Sequence, residues 1–165
     1  TIYNTLGLIV NVFRSFPFII LIVAISSFTR LVVGTSIGNT AALVPITVGT
    51  APFMARLIES SLNEVDKGLI EAAKSFGATN VQIIFKVMVK ESVPSIVLGV
   101  TLTIISVLGY TAIAGAVGAG GLGNVAIVYG YQQFDKNVML FTVIALVILV
   151  QIIQNLGDFL YKKLK

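Results

Sequence analysis

Residues able to engage another molecule are concentrated in one run, Asp66-Lys-Gly-Leu-Ile-Glu-Ala-Ala-Lys-Ser-Phe-Gly77. Its chemistry is that of an amphipathic helix with a face to bury. Leu69, Ile70, Ala73 and Phe76 recur at helical spacing, and Glu71 lies four residues after Lys67 and three before Lys74. Such a helix offers an apolar stripe and a carboxylate, and the carboxylate can pair within its own helix for about 0.2–0.5 kcal/mol or with a partner's cation. Covalent chemistry has little to work with elsewhere. The chain has no His and no Cys, which removes the usual general base, thiol nucleophiles and the commonest transition-metal ligands.

Local signals delimit the elements that carry this run. Asp66 stands where an N-cap belongs and Gly77 where a left-handed C-terminal cap belongs. Thr79-Asn-Val-Gln82 then has the form of a capping box. A second amphipathic helix follows through Ile83, Ile84, Val87 and Met88, with Lys86 and Lys90 on another face. Two short helices are thus predicted to meet near Gly77, with an apolar face to bury on lipid, on the rest of the chain or on a partner.

The remainder of the sequence is built for lipid. The 165 residues are 56% hydrophobic and 11% charged, with a mean hydropathy of +1.00. Soluble domains carry about 25% charged residues, so a water-soluble globule is excluded. Charge-free gaps, read against the roughly 20 apolar residues that cross a bilayer, predict an all-α polytopic membrane bundle of about four spans. The expected spans run from about Thr5 to Val33, Asn39 to Asn63, Val93 to Ala116 and Lys136 to Lys162. Gly118 to Phe134 is expected to be a turn or short irregular segment at the membrane surface. Arg56, Lys67, Lys74, Lys86 and Lys90 cluster between the second and third spans, and Lys162, Lys163 and Lys165 end the chain. The positive-inside rule places both regions in the cytoplasm, and the two spans between them agree in parity. The net charge of +4 therefore marks cytoplasmic flanks and membrane lipid, not nucleic acid. Arg14 is expected near the cytoplasmic face, able to snorkel to headgroups, and Arg30 near the outer face.

Two apparent motifs are declined. Gly118-Ala-Gly-Gly-Leu-Gly123 fits G-x-G-x-x-G, but a membrane helix rather than a strand precedes it, and no Gly-Lys-Ser/Thr occurs in the chain. Gly34-Thr-Ser-Ile-Gly38 fits a nucleophile elbow but has no histidine to serve it. Ala112, Ala116 and Gly120 form a small-residue stripe suited to close helix packing, at a dimer axis or a pathway wall. In the third span, Thr101, Thr103, Ser106 and Thr111 are expected to satisfy carbonyls one turn earlier. Tyr110, amphipathic and next to a Gly/Ala-rich stretch, is singled out for the translocation pathway. With no charge in this span, the pathway is not expected to offer substrate a strong ionic site there.

Glu71-Ala72-Ala73, three residues and then Gly77 resembles the EAA motif of ATP-binding cassette (ABC) importer permeases. The motif's continuation, I-x-L-P, corresponds to Val87, Val89 and Lys90, so its Pro is missing, and Pro94 follows four residues later. That departure leaves the end of the second cytoplasmic helix open. Arg14-Ser-Phe-Pro17-Phe-Ile-Ile-Leu21 resembles the R-x-x-P-x-x-x-L pattern of amino-acid importer permeases. Gly34 to Gly38, Gly115 to Gly123 and Tyr129-Gly-Tyr131 are similar to the methionine-importing members, over nearly the whole chain. Those members have an additional N-terminal span, and the start at Thr1 is read as truncated.

The resemblance implies one permease domain over residues 1–165, with residues 64–91 as its coupling-helix segment. It implies a homodimer in a bacterial inner membrane, two cytoplasmic ATPase subunits that bind the ATP, and an extracytoplasmic substrate-binding protein. This chain would carry no cofactor and no catalytic site. Leu69, Ile70, Glu71, Ala72, Ala73, Phe76 and Gly77 would dock the ATPase. The function implied is import of a small amino acid, methionine, by alternating access. Import of a betaine or phosphonate by the same fold is the alternative, followed by an ion-driven secondary transporter.

Overall fold

The computed structural model describes residues 2–165 and, apart from Ile2, Ala116 and Val117, their side chains. Among the described residues all regular structure is helical. Proline divides the first expected span. Helix α1 (Ile2–Ser15) ends two residues before Pro17, and α2 (Phe18–Ala24) restarts after it. The residue before a proline is pushed out of the helical region, and the two axes differ by 101°. A second break at Ile25 (φ −97°, ψ 13°) separates α2 from α3 (Ser26–Val33). Gly34, in the left-handed region at φ 81°, closes α3. The single helix expected from Thr5 to Val33 is therefore three helices.

Helix α4 (Asn39–Asn63) coincides with the second expected span and carries Pro45 and Pro52 within it. After it comes α5 (Lys67–Ser75). The next element corrects the sequence reading. The second short helix and the third span are one helix, α6 (Asn80–Ala114), 35 residues long. It has π-helical turns over Ile83–Met88 and admits Pro94 without a break. Gly118 to Phe134 is also more ordered than expected. A π-helical turn, Gly115–Ala119, leads through Gly120 to α7 (Gly121–Asn124), which continues as π-helical turns over Val125–Gln132. Three glycines at positive φ, Gly118, Gly120 and Gly121, make the reversal. Helix α8 (Lys136–Leu164) is capped by Asp135, whose carboxylate accepts from the amides of Asn137 and Val138 at 2.9 and 3.1 Å.

Three helices, α4, α6 and α8, are long and apolar enough to cross a membrane, and the bent α1–α2 pair makes a fourth if it is one span. Helix α6 is central, packed between α4 and α8. Lipid supplies little hydrophobic drive for helix association, so close approach and van der Waals contact must do it. Glycines provide that approach. A methyl group on Gly157 of α8 would overlap the Thr101 side chain of α6, and one on Gly123 would overlap the Ala112 backbone. Gly99 sits against Leu57, with room for a Cβ at 3.4 Å. The small-residue stripe is thus used within the chain at Ala112, while the side chain of Ala116 lies outside the described residues. The hydroxyls of the third span behave as expected. Thr101 donates to the Val97 carbonyl at 2.8 Å, Thr103 to Gly99 at 2.8 Å, Ser106 to Leu102 at 2.9 Å and Thr111 to Leu108 at 2.7 Å.

These contacts predict opposite rescue behaviour. Gly157→Ala should destabilise the bundle by about 1–3 kcal/mol through overpacking. Adding Thr101→Ala, which deletes two of the three nearest atoms, should recover part of the loss in thermal unfolding in detergent. Gly123→Ala should be as damaging, and Ala112→Gly should not rescue it, because the obstructing atoms include the Ala112 backbone.

Candidate functional site

Two places in the fold could engage other molecules. The first is α5. Its N-terminus is set by Asp66, whose carboxylate accepts from the Gly68 amide at 2.5 Å. Its C-terminus is a Schellman closure. The Ala78 amide donates to the Ala73 carbonyl at 3.1 Å and the Gly77 amide to Lys74 at 2.9 Å, with Gly77 at φ 77°. Two residues on, the predicted capping box is present. The Thr79 amide donates to Gln82 Oε1 at 2.9 Å and the Gln82 amide to Thr79 Oγ1 at 3.3 Å. Both helix ends are satisfied by the loop itself, so α5 holds its shape without a partner.

No residue of α5 is buried. Ile70 and Ala73 are half-buried on the side that packs against the π-helical turns of α6. Val65 and Ile83, both buried, anchor the loop on either side. Leu69, Glu71, Ala72 and Gly77 are exposed, and Phe76 is 91% exposed. The apolar stripe read as one face is therefore divided, with Ile70 and Ala73 turned inward and Leu69 and Phe76 outward. Glu71 makes no salt bridge with Lys67 or Lys74. Among the described residues the ion pair is Arg56 to Glu59, at 2.5 Å.

The second place surrounds Tyr110. Near the C-terminal end of α6, its ring stacks on Phe18 of α2, with centroids 4.2 Å apart and planes 18° apart. Both line a cavity of about 260 Å³ midway along α4, completed by Phe13, Arg14, Phe16, Leu21, Gly49 and Phe53. The bend at Pro17 builds this chamber by returning α2 across α4. Phe18 and Leu21 then seat on Gly49, where a Cβ would come within 3.4 and 3.3 Å of them. The Arg-x-x-Pro-x-x-x-Leu pattern gains a physical meaning here: Pro17 turns the chain, Leu21 packs it down, and Arg14 is left at the cavity wall. Sequence reasoning found Tyr110 and Arg14 separately but gave no sign that they share a cavity. Nor did it find Phe13, Phe18, Gly49 or Phe53, which come together only through the tertiary bend.

The family model described as binding-protein-dependent transport system inner membrane component matches residues 1–165. The probable D-methionine transport system permease protein MetI of Vibrio cholerae is 54% identical over 160 residues, covering 97% of this chain and 71% of that protein. The methionine import system permease protein MetP of Bacillus subtilis is 51% identical over 155 residues, covering 94% of this chain and 70% of that protein. A solved structure of the MetNI methionine ABC transporter, described as inward facing, superposes with a TM-score of 0.96 at 50% identity. It covers all of this chain and 76% of that one.

The cap geometry makes a local prediction. Gly77 has open space around its Cβ position, so only its backbone resists substitution. Gly77→Ala should cost about 1–2 kcal/mol, the left-handed penalty for an L-residue. Hydrogen exchange should then speed up at the amides of Phe76, Gly77 and Ala78 and remain unchanged at Thr101 to Tyr110.

Proposed function

We propose that this chain, which belongs to the family of binding-protein-dependent transport system inner membrane components, is the permease subunit of an ATP-driven importer of methionine. It works as a pair of identical permeases in a bacterial inner membrane. Two cytoplasmic ATPase subunits bind the ATP and grip α5 of each copy, and an extracytoplasmic binding protein delivers the amino acid. The Lys- and Arg-rich α5 segment and the C-terminus face the cytosol, and residues 1–165 act as one domain.

The observation that carries this reading is mechanical. Helix α5 is capped, exposed and unpartnered, and it packs on the first turns of α6. Helix α6 then runs unbroken to the Tyr110 chamber. From Thr79 to Tyr110 the rise of an α-helix gives a lever of about 45 Å. A partner that takes Leu69 and Phe76 into its surface, approaches closely at Ala72 and pairs a cation with Glu71 can tilt this lever. Closing the ATPase dimer on ATP moves the two α5 helices together and opens the chamber outward. Hydrolysis and release return it inward. Tyr110, stacked on Phe18, sits where the tilt of α6 is felt against α2. The chain supplies the path and the lever, and its partner supplies the energy.

The test is uptake of labelled methionine into proteoliposomes holding the complete complex. Uptake should require ATP, survive collapse of ion gradients and resist competition by betaine or phosphonate. Glu71→Lys or Ala72→Trp should lower uptake about tenfold or more, on the scale of a lost interface hot spot, with membrane content unchanged. Normal uptake by both variants would remove α5 from the coupling role, and gradient-driven uptake would make the chain a secondary transporter.

A further inference from the structure

The chamber holds a feature that a passive conduit would not need. Arg14 lies on its wall among the rings of Phe13, Phe16, Phe18, Phe53 and Tyr110. Arginine stays charged in any protein setting, and its guanidinium presents donors that must be met by water or by acceptors. Arg14 is exposed, and among the described residues the salt bridge is formed by Arg56 and Glu59, so the Arg14 guanidinium is open to water or to a ligand that enters. A charged group on the wall of a chamber in a membrane protein marks a functional site by default. The bend at Pro17 places it there, at the level of Gly49 and Phe53 on α4.

The wall has two chemistries side by side. One is a fixed positive fork of N–H donors, which matches a carboxylate in bidentate geometry. The other is a set of aromatic faces, which suits an apolar side chain and gives a thioether sulfur favourable contacts. At about 260 Å³ the space lies just below the roughly 300–1,000 Å³ of drug-sized ligand pockets, so it suits one small molecule. We propose that this chamber is a transient substrate site in which Arg14 donates to the α-carboxylate of a zwitterionic amino acid while the phenylalanine rings receive its apolar side chain. The inference rests on the import reading above and deepens it by naming which end of the substrate the membrane subunit reads. It leaves in place the sequence expectation that the third span offers no ionic site. The charge comes from α1, not from the third span. Because Arg14 precedes the Pro17 bend and Tyr110 rides on α6, a tilt of α6 changes the distance between the two walls, so the site is released as the lever moves.

Residues 1–165 hold no cysteine, so one introduced among them is unique in this stretch, and any cysteine elsewhere in the subunit is replaced by serine. In the full complex, Phe53→Cys, and independently Phe13→Cys, is alkylated by a water-soluble maleimide, and the rate is followed against added methionine. Methionine should slow alkylation, and methioninol, which has a hydroxymethyl group in place of the carboxylate, should not. Combining either cysteine with Arg14→Gln should raise the protecting concentration about tenfold or more, the usual consequence of losing a hydrogen bond to a charged group. Arg14→Lys should restore part of the protection. Equal protection by methioninol, or protection unchanged by Arg14→Gln, would show that Arg14 does not read the carboxylate. Absence of protection at both cysteines, in complexes that still take up methionine with ATP, overturns the site and leaves the import reading intact. Complexes that show no ATP-dependent uptake even with Arg14 and both phenylalanines unaltered remove the import reading, and the inference falls with it.

Discussion

Continuity of the α6 hydrogen-bond ladder is the constraint on which the rest of this structure depends. A helix that crosses lipid must satisfy its backbone groups internally, and α6 runs as one helix from Asn80 to Ala114, with Pro94 removing a single donor in its first half. The same requirement makes it stiff. Because it begins at the capping box beside Gly77 and ends beyond Tyr110, a displacement of α5 reaches the Phe18–Tyr110 stack along one rod. The π-helical turns at Ile83–Met88 lie where that rod leaves the packed bundle and meets α5. Widened turns of this kind often occur at functional sites, and here they shape the surface on which Ile70 and Ala73 rest.

The packing around α6 shows how a bundle is held when its solvent is as apolar as its core. Large apolar side chains face outward along α8, including Leu140, Phe141, Val147, Ile148 and Ile152. The interior seams use small residues and hydroxyls instead. Gly157 on Thr101, Gly99 on Leu57 and Gly123 on Ala112 bring helices close, and the Thr101 and Thr103 hydroxyls donate to carbonyls of their own helix. Thr103 adds a contact across the seam, at 3.3 Å from the Met54 sulfur. Such seams have little tolerance for added volume, so α4, α6 and α8 are expected to move as bodies. The chamber, by contrast, is bounded by short helices joined at Pro17 and Ile25, where the chain can hinge.

Features that a few neighbouring residues specify were legible in the sequence. Asp66, Gly77 and the Thr79/Gln82 pair act as the caps their types suggest, and α4 and α8 closely match the expected spans, Asn39 to Asn63 and Lys136 to Lys162. Features that depend on a choice between local and tertiary preference were less so. Pro17 was read inside a span because the flanking run is apolar, yet its ring breaks the helix and turns it through 101°. The separation expected between the second short helix and the third span, just before Pro94, is absent, and Pro94 is carried within α6 with α4 and α8 packed on either side. The Gly-rich stretch before Phe134 looked irregular, but Gly123 and Gly130 allow it to lie against Ala112 and Met139. The chamber was invisible for a different reason. Its lining comes from α1, α2, α4 and α6, and no periodicity within one segment signals a meeting of four.

The claim that α5 is the handle of a lever is tested most directly by asking what lies against it in the membrane. A single cysteine at Phe76, bearing a short photoactivatable cross-linker, is irradiated in the assembled complex in native lipid. The account predicts a covalent adduct with the ATPase subunit, whose yield changes between nucleotide-free and ATP-bound states. Adducts with phospholipid alone, with the ATPase present and active, would contradict it.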